Sequence, residues 1–427
     1  MTQQDSPQKT AQEPLLPTDQ DVVIVGAAMT GATLACALAG TGLRVALLDR
    51  AMPDSDITLE TGRFEPRVSA LTPASASLFE QLGVWGDMAR RRVSPYSSMR
   101  VWEADGTASI SFDASEIHAD MLGYIVENRV IQAALHRRLD DCPDVERLEA
   151  SGIRSLQRGG DAVLLRLDDG RSLRTRLLVG ADGARSTVRR LAGFRTREWE
   201  YGHRAIVTTV KVEQSHQQTA WQRFSDEGVL AFLPLRDAAG GSDADRYCSI
   251  VWSLLPERAE QYLAMDPGAF AAQLGAAFEH RLGAIQSVAE RFSFPLYQCH
   301  ATEYVQDRVA LIGDAAHSIH PLAGQGANLG LLDARALADV IIHEMNRGMP
   351  WDEPAVLRRY QRRRMGHNLA MAGLMEGFRR LYADQPLPLR WLRNTGMQAV
   401  DRLAPLKHRI MREATGVPDA PVKTRVR

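Results

Sequence analysis

Cysteine is scarce in this chain of 427 residues: there are four, Cys36, Cys142, Cys248 and Cys299, and none stands in C-x-x-C spacing. That excludes a disulfide-stapled scaffold and a cysteine zinc site, and points to reduced thiols in a cytosolic protein. No apolar run reaches the roughly 18 uncharged residues of a membrane span, because Arg44, Asp49 and their equivalents interrupt each one. The first twenty residues have neither the basic start nor the apolar stretch of a secretory signal, so a loose polar tail is expected and export is not. A surplus of one charge is missing as well. Fifty-one Lys and Arg against 52 Asp and Glu leave a net charge of -1, which excludes a globally basic nucleic-acid binder.

What remains is the composition of a folded globular protein, 45% hydrophobic and 24% charged, long enough for one enlarged domain or two interleaved ones. The even charge hides a gradient. From Trp351 to the end 16 Lys or Arg meet 7 Asp or Glu, so the tail is basic and residues 1–350 are acidic.

Residues 21–25, DVVIV, form a β-branched run that stops at Gly26, and small apolar residues at helical spacing follow. With RVALLD, ending at Asp49, this makes a βαβ unit with a parallel pair. Residues 52–66 read as polar loop, SALTPASASLFEQLGVWGDM as a helix entered through Ser/Thr caps, and 127–141 as another helix. Residues 146–180 alternate like strands. RAIVTTVKVE, GVLAFLPLR and RYCSIVWSLLPE predict a mostly antiparallel sheet, a second domain. RVALIGDAA restores the buried-strand pattern, GLLDARALADVIIHEMNR continues as a long helix, and the chain after Pro350 is helical and Arg-rich.

Three segments carry chemistry. The first is Gly26-Ala-Ala28-Met-Thr-Gly31 between strand and helix, with Asp49 at the next strand end. In a dinucleotide fold the first glycine makes the turn, the second admits a pyrophosphate, the third packs helix on strand and the acid binds ribose. Ala28 stands where the second glycine belongs, and its methyl predicts looser binding. The second is LLVGADGARSTVRR: Asp182 and Gly183 make a strand-end turn, Ser186 caps a helix, and Arg185 and Arg189 are candidates for phosphates. The third is RVALIGDAAHSIHPLAGQGANLGLLDA. A buried strand delivers Gly313 and Asp314, whose carboxylate suits a ribityl or ribose hydroxyl. Pro321 fixes a loop whose Gly324, Gln325 and Gly326 expose backbone N–H groups at a helix start. Such a cluster suits the electron-rich pyrimidine edge of a reduced flavin.

In this order and spacing the three segments resemble the class A flavoprotein monooxygenases of the p-hydroxybenzoate hydroxylase fold. HPLAGQGANLGLLDA, RVSALTPASASLFEQLGVW, GYIVENRVIQAAL, AWQRFSDEGVLAFLPL and YQRRRMGHNLAMAGLMEGFRRLY resemble, more narrowly, the ubiquinone-biosynthesis hydroxylases of the UbiH/UbiF/VisC type.

The resemblance implies an α/β fold in which a Rossmann-like FAD-binding domain (21–75, 106–190 and 301–349) is interleaved with a mostly antiparallel β-sheet substrate domain (191–300, with a linking segment 76–105). A disordered tail (1–20) precedes it and a basic helical region (350–427) follows. It also implies FAD held by the Gly26 turn, Asp49 and Arg50, by Arg67, Arg129, Asp182 and Gly183, by Gly313 and Asp314, and by the loop from Pro321 through Gly324, Gln325, Gly326 and Ala327 to Asn328. NAD(P)H would reduce the flavin, O₂ would add at its C4a carbon, and the resulting hydroperoxide would hydroxylate a polyprenyl phenol. No metal is expected, since His300, His317 and His320 lack ligand spacing with acidic or Cys partners.

His317 and His320 are read either as bases for a phenol of pKa about 10 or as structural residues. His320 and Pro321 are the candidate catalytic residues, Pro321 by positioning alone. Trp221, Phe224, Phe232, Leu233 and Trp252 are candidate substrate-lining residues, with plain core as the competing reading. The basic tail either packs on the domain or lies on anionic lipid at the inner membrane. Truncation after residue 350 is expected to lower membrane association more than FAD content. Three other readings stay open: hydroxylation of a soluble aromatic compound, an O₂-independent flavin reductase acting on isoprenoid lipids, and a non-catalytic flavoprotein scaffold in a quinone-synthesis complex. An NAD-dependent dehydrogenase leaves the loop from Gly324 to Asn328 without a role.

Overall fold

The computed structural model describes residues 18–104, 109–238, 240–241, 243–318, 325–382, 401 and 403–416. Its helices, in chain order, are α1 (Met29–Leu38), α2 (Pro73–Gln81), α3 (Trp85–Arg91), α4 (Asn128–Asp140), α5 (Thr187–Leu191), α6 (Pro256–Ala264), α7 (Pro267–Ala277), α8 (Gln325–Asn346), α9 (Pro354–Tyr382) and α10 (Ala404–Thr415).

The apolar strand runs assemble into a parallel sheet whose centre has the order Val309–Leu311, Ser172–Gly180, Thr18–Val25, Val45–Asp49, Val145–Glu149. Both faces are covered, α1 packing on α4 and α8, which is why Val22, Val23 and Ile24 read as an unbroken apolar run and keep no exposed surface. The first strand begins at Thr18, before the apolar run, because Thr18–Gln20 pair with Leu173–Thr175. The segment read as one helix after Ser69 is two: Thr72 caps α2 by accepting the Ser75 N–H, and Gly83, at φ +72°, turns the chain into α3.

The second sheet has the order His317–Ser318, Phe292–Ala301, Thr196–Val212, Tyr247–Leu254, Gly228–Leu235, Thr219–Ser225, Ser98–Glu103, Ser109–Asp113. It is antiparallel except where Thr219–Ser225 runs parallel to Ser98–Glu103. Alternation along its strands sends Ile206, Val210, Trp221, Phe232, Ile250 and Trp252 to one face, where Phe270, Leu274 and Phe278 complete a core with α6 and α7. The other face, with Phe224 and Leu233, meets the remainder of the molecule. A small sheet of Val68–Leu71, Gly123–Glu127 and Ser94–Tyr96 lies beside it.

Candidate functional site

Four parallel strands end side by side, so the turns that follow them share one edge of the sheet. Val25 is in register with Gly180 and with Leu48, and Gly180 with Leu311. Ligands in open α/β sheets sit outside such carboxyl edges. At the first turn Gly26 has φ +108°, and a Cβ there would lie 2.3 Å from the Ala181 carbonyl oxygen. A Cβ on Gly31 would lie 1.8 Å from the Gly26 oxygen, so both glycines are fixed by close approach. Ala28 is the extended N-cap of α1, exposed and without a side-chain cap.

Asp49 shapes this turn as well as ending its strand: its carboxylate accepts the Ala27 N–H and the Arg50 N–H, each at 2.6 Å. Arg50 itself is exposed. His136, fully buried on α4, donates Nε2–H to the Ala27 carbonyl at 2.8 Å. Burial pushes its pKa down, so the ring is neutral.

The second turn is more self-contained than the sequence suggests. Asp182 accepts the N–H groups of Thr187 (2.6 Å) and Val188 (3.1 Å) and the Ser186 hydroxyl, which makes it a cap of α5. Gly183, at φ +80°, borders open space. Arg189 does not offer its guanidinium to a phosphate: it is buried and donates to the carbonyls of Ala184 (2.7 Å) and Ala315 (2.9 Å), stapling the second turn to the third. Arg185 is exposed.

At the third turn Gly313 adopts φ +58° and Asp314 presents an accessible carboxylate. The surrounding protein mass raises the Asp314 pKa, and the charges of His317 and Arg67 oppose that rise. Behind it stands a buried polar network that the sequence reading missed. Asp333 on α8 accepts the Gly313 N–H at 3.1 Å and the His317 Nε2–H with one oxygen. With the other it accepts Arg364 Nε–H at 2.8 Å and Asn368 Nδ2–H at 3.1 Å, both from α9. Burial would raise the Asp333 pKa, but His317 and Arg364 hold it below the usual carboxylate value.

His317, 1% exposed and engaged with Asp333, is therefore not placed as a base for a substrate. His320, Pro321 and Gly324 lie outside the described residues. Gln325, Gly326 and Ala327 open α8, and a Cβ on Gly326 would meet nothing within 4 Å. Asn328 uses its side chain internally, accepting from the Thr72 N–H (3.0 Å) and the Ser75 hydroxyl (2.7 Å) and donating to the Ala70 carbonyl (2.8 Å).

The five candidate substrate-lining residues divide by strand parity. Trp221, Phe232 and Trp252 are core under α6 and α7: Phe232 stacks on Phe278 at 3.7 Å and Trp252 on Tyr262 at 4.6 Å. Phe224 and Leu233 point the other way. On that face Thr209 and Ser249 pair across neighbouring strands, both buried, and neither hydroxyl has a partner among the described residues. Thr209 lines a cavity of about 670 Å³ between residues 58–66 and the second sheet, which Phe64, Arg129, Tyr247 and Phe292 also line. Arg129 pairs there with Glu127 at 3.0 Å. Arg67 is exposed, its guanidinium 6.0 Å from the Phe294 ring centroid. Tyr297 was also missed; its hydroxyl is buried without a partner among the described residues.

The donor set suits a flavin dinucleotide: a close-packed glycine turn before a helix, carboxylates at two strand ends, and open space at Gly183 and Gly326. The family described as FAD binding domain matches residues 19–372, and the chain belongs to it. Among curated relatives, 3-demethoxyubiquinol 3-hydroxylase of Escherichia coli (strain K12) is 38% identical, covering 93% of this chain and 98% of its own. Ubiquinone hydroxylase UbiL of Rhodospirillum rubrum is 36% identical over 93% of this chain and 89% of its own. Among solved structures, PqsL, a probable FAD-dependent monooxygenase from Pseudomonas aeruginosa, aligns with a TM-score of 0.71 at 25% identity, covering 90% of this chain and all of PqsL.

Proposed function

We propose that the chain is an FAD-dependent monooxygenase that hydroxylates the ring of a polyprenylated phenol in ubiquinone biosynthesis, using NAD(P)H and O₂. The observation that carries this reading is the 38% identity, over nearly the whole of both chains, with a hydroxylase of a ubiquinone precursor. The bound flavin supplies the oxygen chemistry. The protein's part is to hold and orient: the Gly26 turn and the start of α1 take the pyrophosphate, Asp49 the ribose and Asp314 the ribityl chain. The backbone from Gln325 to Asn328, at the start of α8, takes the ring system. The phenol belongs on the face of the second sheet that carries Phe224 and Leu233, because helices cover the opposite face.

Peripheral contact with an anionic membrane is part of this proposal. What supports it is apolar surface on the two basic helices: Leu369 and Leu374 on α9, Leu406 and Ile410 on α10, and Leu403 before it, are all exposed. Arg362, Arg363 and Arg409 accompany them. No described helix is long and apolar enough to cross a membrane.

The test is purified protein with flavin absorbance whose NAD(P)H oxidation requires both O₂ and a polyprenyl phenol, with a product one oxygen atom heavier. Oxidation without O₂ would favour the reductase, and retained FAD without turnover the scaffold. Flotation with anionic vesicles, lost in Leu406→Glu/Ile410→Glu, tests the membrane contact.

A further inference from the structure

The turn from Gly313 to His317 is gripped at both ends by one carboxylate. Asp333 takes the backbone N–H of the first residue and the imidazole N–H of the last, and Asp314 projects from between them. The carboxylate is itself immobilised. Arg364 reaches its second oxygen at 2.8 Å and Asn368 at 3.1 Å, while Arg364 donates to the Asn368 amide oxygen at 2.9 Å. Donor and acceptor directions continue consistently outward. The second Asn368 Nδ2–H reaches the Tyr304 hydroxyl at 3.4 Å, which donates to His300 Nε2 at 3.1 Å, and His300 Nδ1–H ends on the Ala301 carbonyl. Asp333 has no exposed surface and Arg364 very little, so neither group serves solubility.

We propose that Asp333 is a positioning residue for FAD, aiming Asp314 by clamping the Gly313–His317 turn, and that Arg364 and Asn368 make α9 a working part of the cofactor site. This rests on the FAD reading above. A network that merely glued α8 to α9 would have no reason to spend an oxygen of Asp333 on the Gly313 N–H and the His317 ring. The clamp also assigns a role to one arginine of the run Arg362-Arg363-Arg364: the first two are exposed and the third is buried.

The experiment measures FAD affinity of the full-length chain by flavin fluorescence, the visible circular dichroism of bound FAD, and urea unfolding of the apo form. His317→Leu removes the donor on the turn side and His317→Gln keeps one. The expected result is at least tenfold weaker FAD binding and an altered flavin dichroism in His317→Leu, with most of both recovered in His317→Gln. Asp333→Asn/Arg364→Met, which removes both buried charges together, is expected to weaken FAD binding similarly. Parental affinity and dichroism in His317→Leu and in the double variant, or equal loss in the two His317 variants, overturn the proposal. A parent chain that takes up no FAD defeats the underlying reading instead, and is recognised before any variant is made.

Discussion

Arg189 and Ala315 are joined across the carboxyl edge of the parallel sheet by a buried hydrogen bond of 2.9 Å, guanidinium to carbonyl. The same side chain holds Ala184 at 2.7 Å, so the turns after two neighbouring strands share one fastener. Arg189→Met leaves two carbonyls without this donor and is expected to cost about 2–3 kcal/mol, read by urea unfolding, with FAD affinity falling at least tenfold. Arg189→Lys should recover less than half of the loss, since one ammonium does not reproduce a planar fork reaching two carbonyls.

The strand faces make opposite predictions. Trp252→Phe, in the layer beneath α6, should cost roughly 1–3 kcal/mol of stability and leave KM for the phenol within about twofold of the parent. Leu233→Phe, on the other face, should shift KM by fivefold or more at little cost in stability. Matched changes in KM for both variants would remove the assignment of faces.

His136 gives the fold a pH dependence of known sign. Its pKa is held below the ordinary 6.5 by burial, so between those two values the unfolded chain binds a proton that the folded chain does not. The stability it confers is complete above about 6.5 and is lost as pH falls through that window. His216 and His300 are buried and shifted the same way, so the whole chain should lose stability below pH 6.5. In His136→Gln, whose amide can still donate to the Ala27 carbonyl, unfolding free energy measured from pH 5 to 8 should show a shallower slope.

Truncation separates the two duties of the C-terminal region only at the right place. A chain ending at residue 350 lacks Arg364 and Asn368, the two donors to one oxygen of Asp333, at a cost of roughly 3–5 kcal/mol; FAD content should fall together with membrane association. A chain ending at residue 382 keeps both residues and loses α10. It should retain FAD, measured by absorbance ratio, while its recovery with anionic vesicles drops.

The parallel core, the antiparallel layer and the long helices were legible because burial on two faces, on one face or along one stripe leaves distinct periodicities. Gly26, Gly31 and Asp49 were legible because their chemistry is local: a turn, a close approach, a strand end. Asp333 was not, because one acid in GLLDARALADV looks like a solvated helix position until its phase is compared with its neighbours. Arg364 could have been singled out by the same comparison, since it recurs with Leu357, Tyr360 and Asn368 at spacings of three and four, the buried side of α9. The division of Trp221, Phe232 and Trp252 from Phe224 and Leu233 was also available from parity. Which face α6 and α7 would cover was not, because that depends on packing between segments distant in sequence.

Four residues after Gly313 the chain is already an edge strand of the other layer: His317 and Ser318 pair with His300 and Cys299. A sideways shift of the antiparallel sheet, such as a guest molecule wedged against it would produce, would have only a short path to the carboxylate of Asp314. The two layers are thus joined at this point by a short stretch of backbone that carries Asp314.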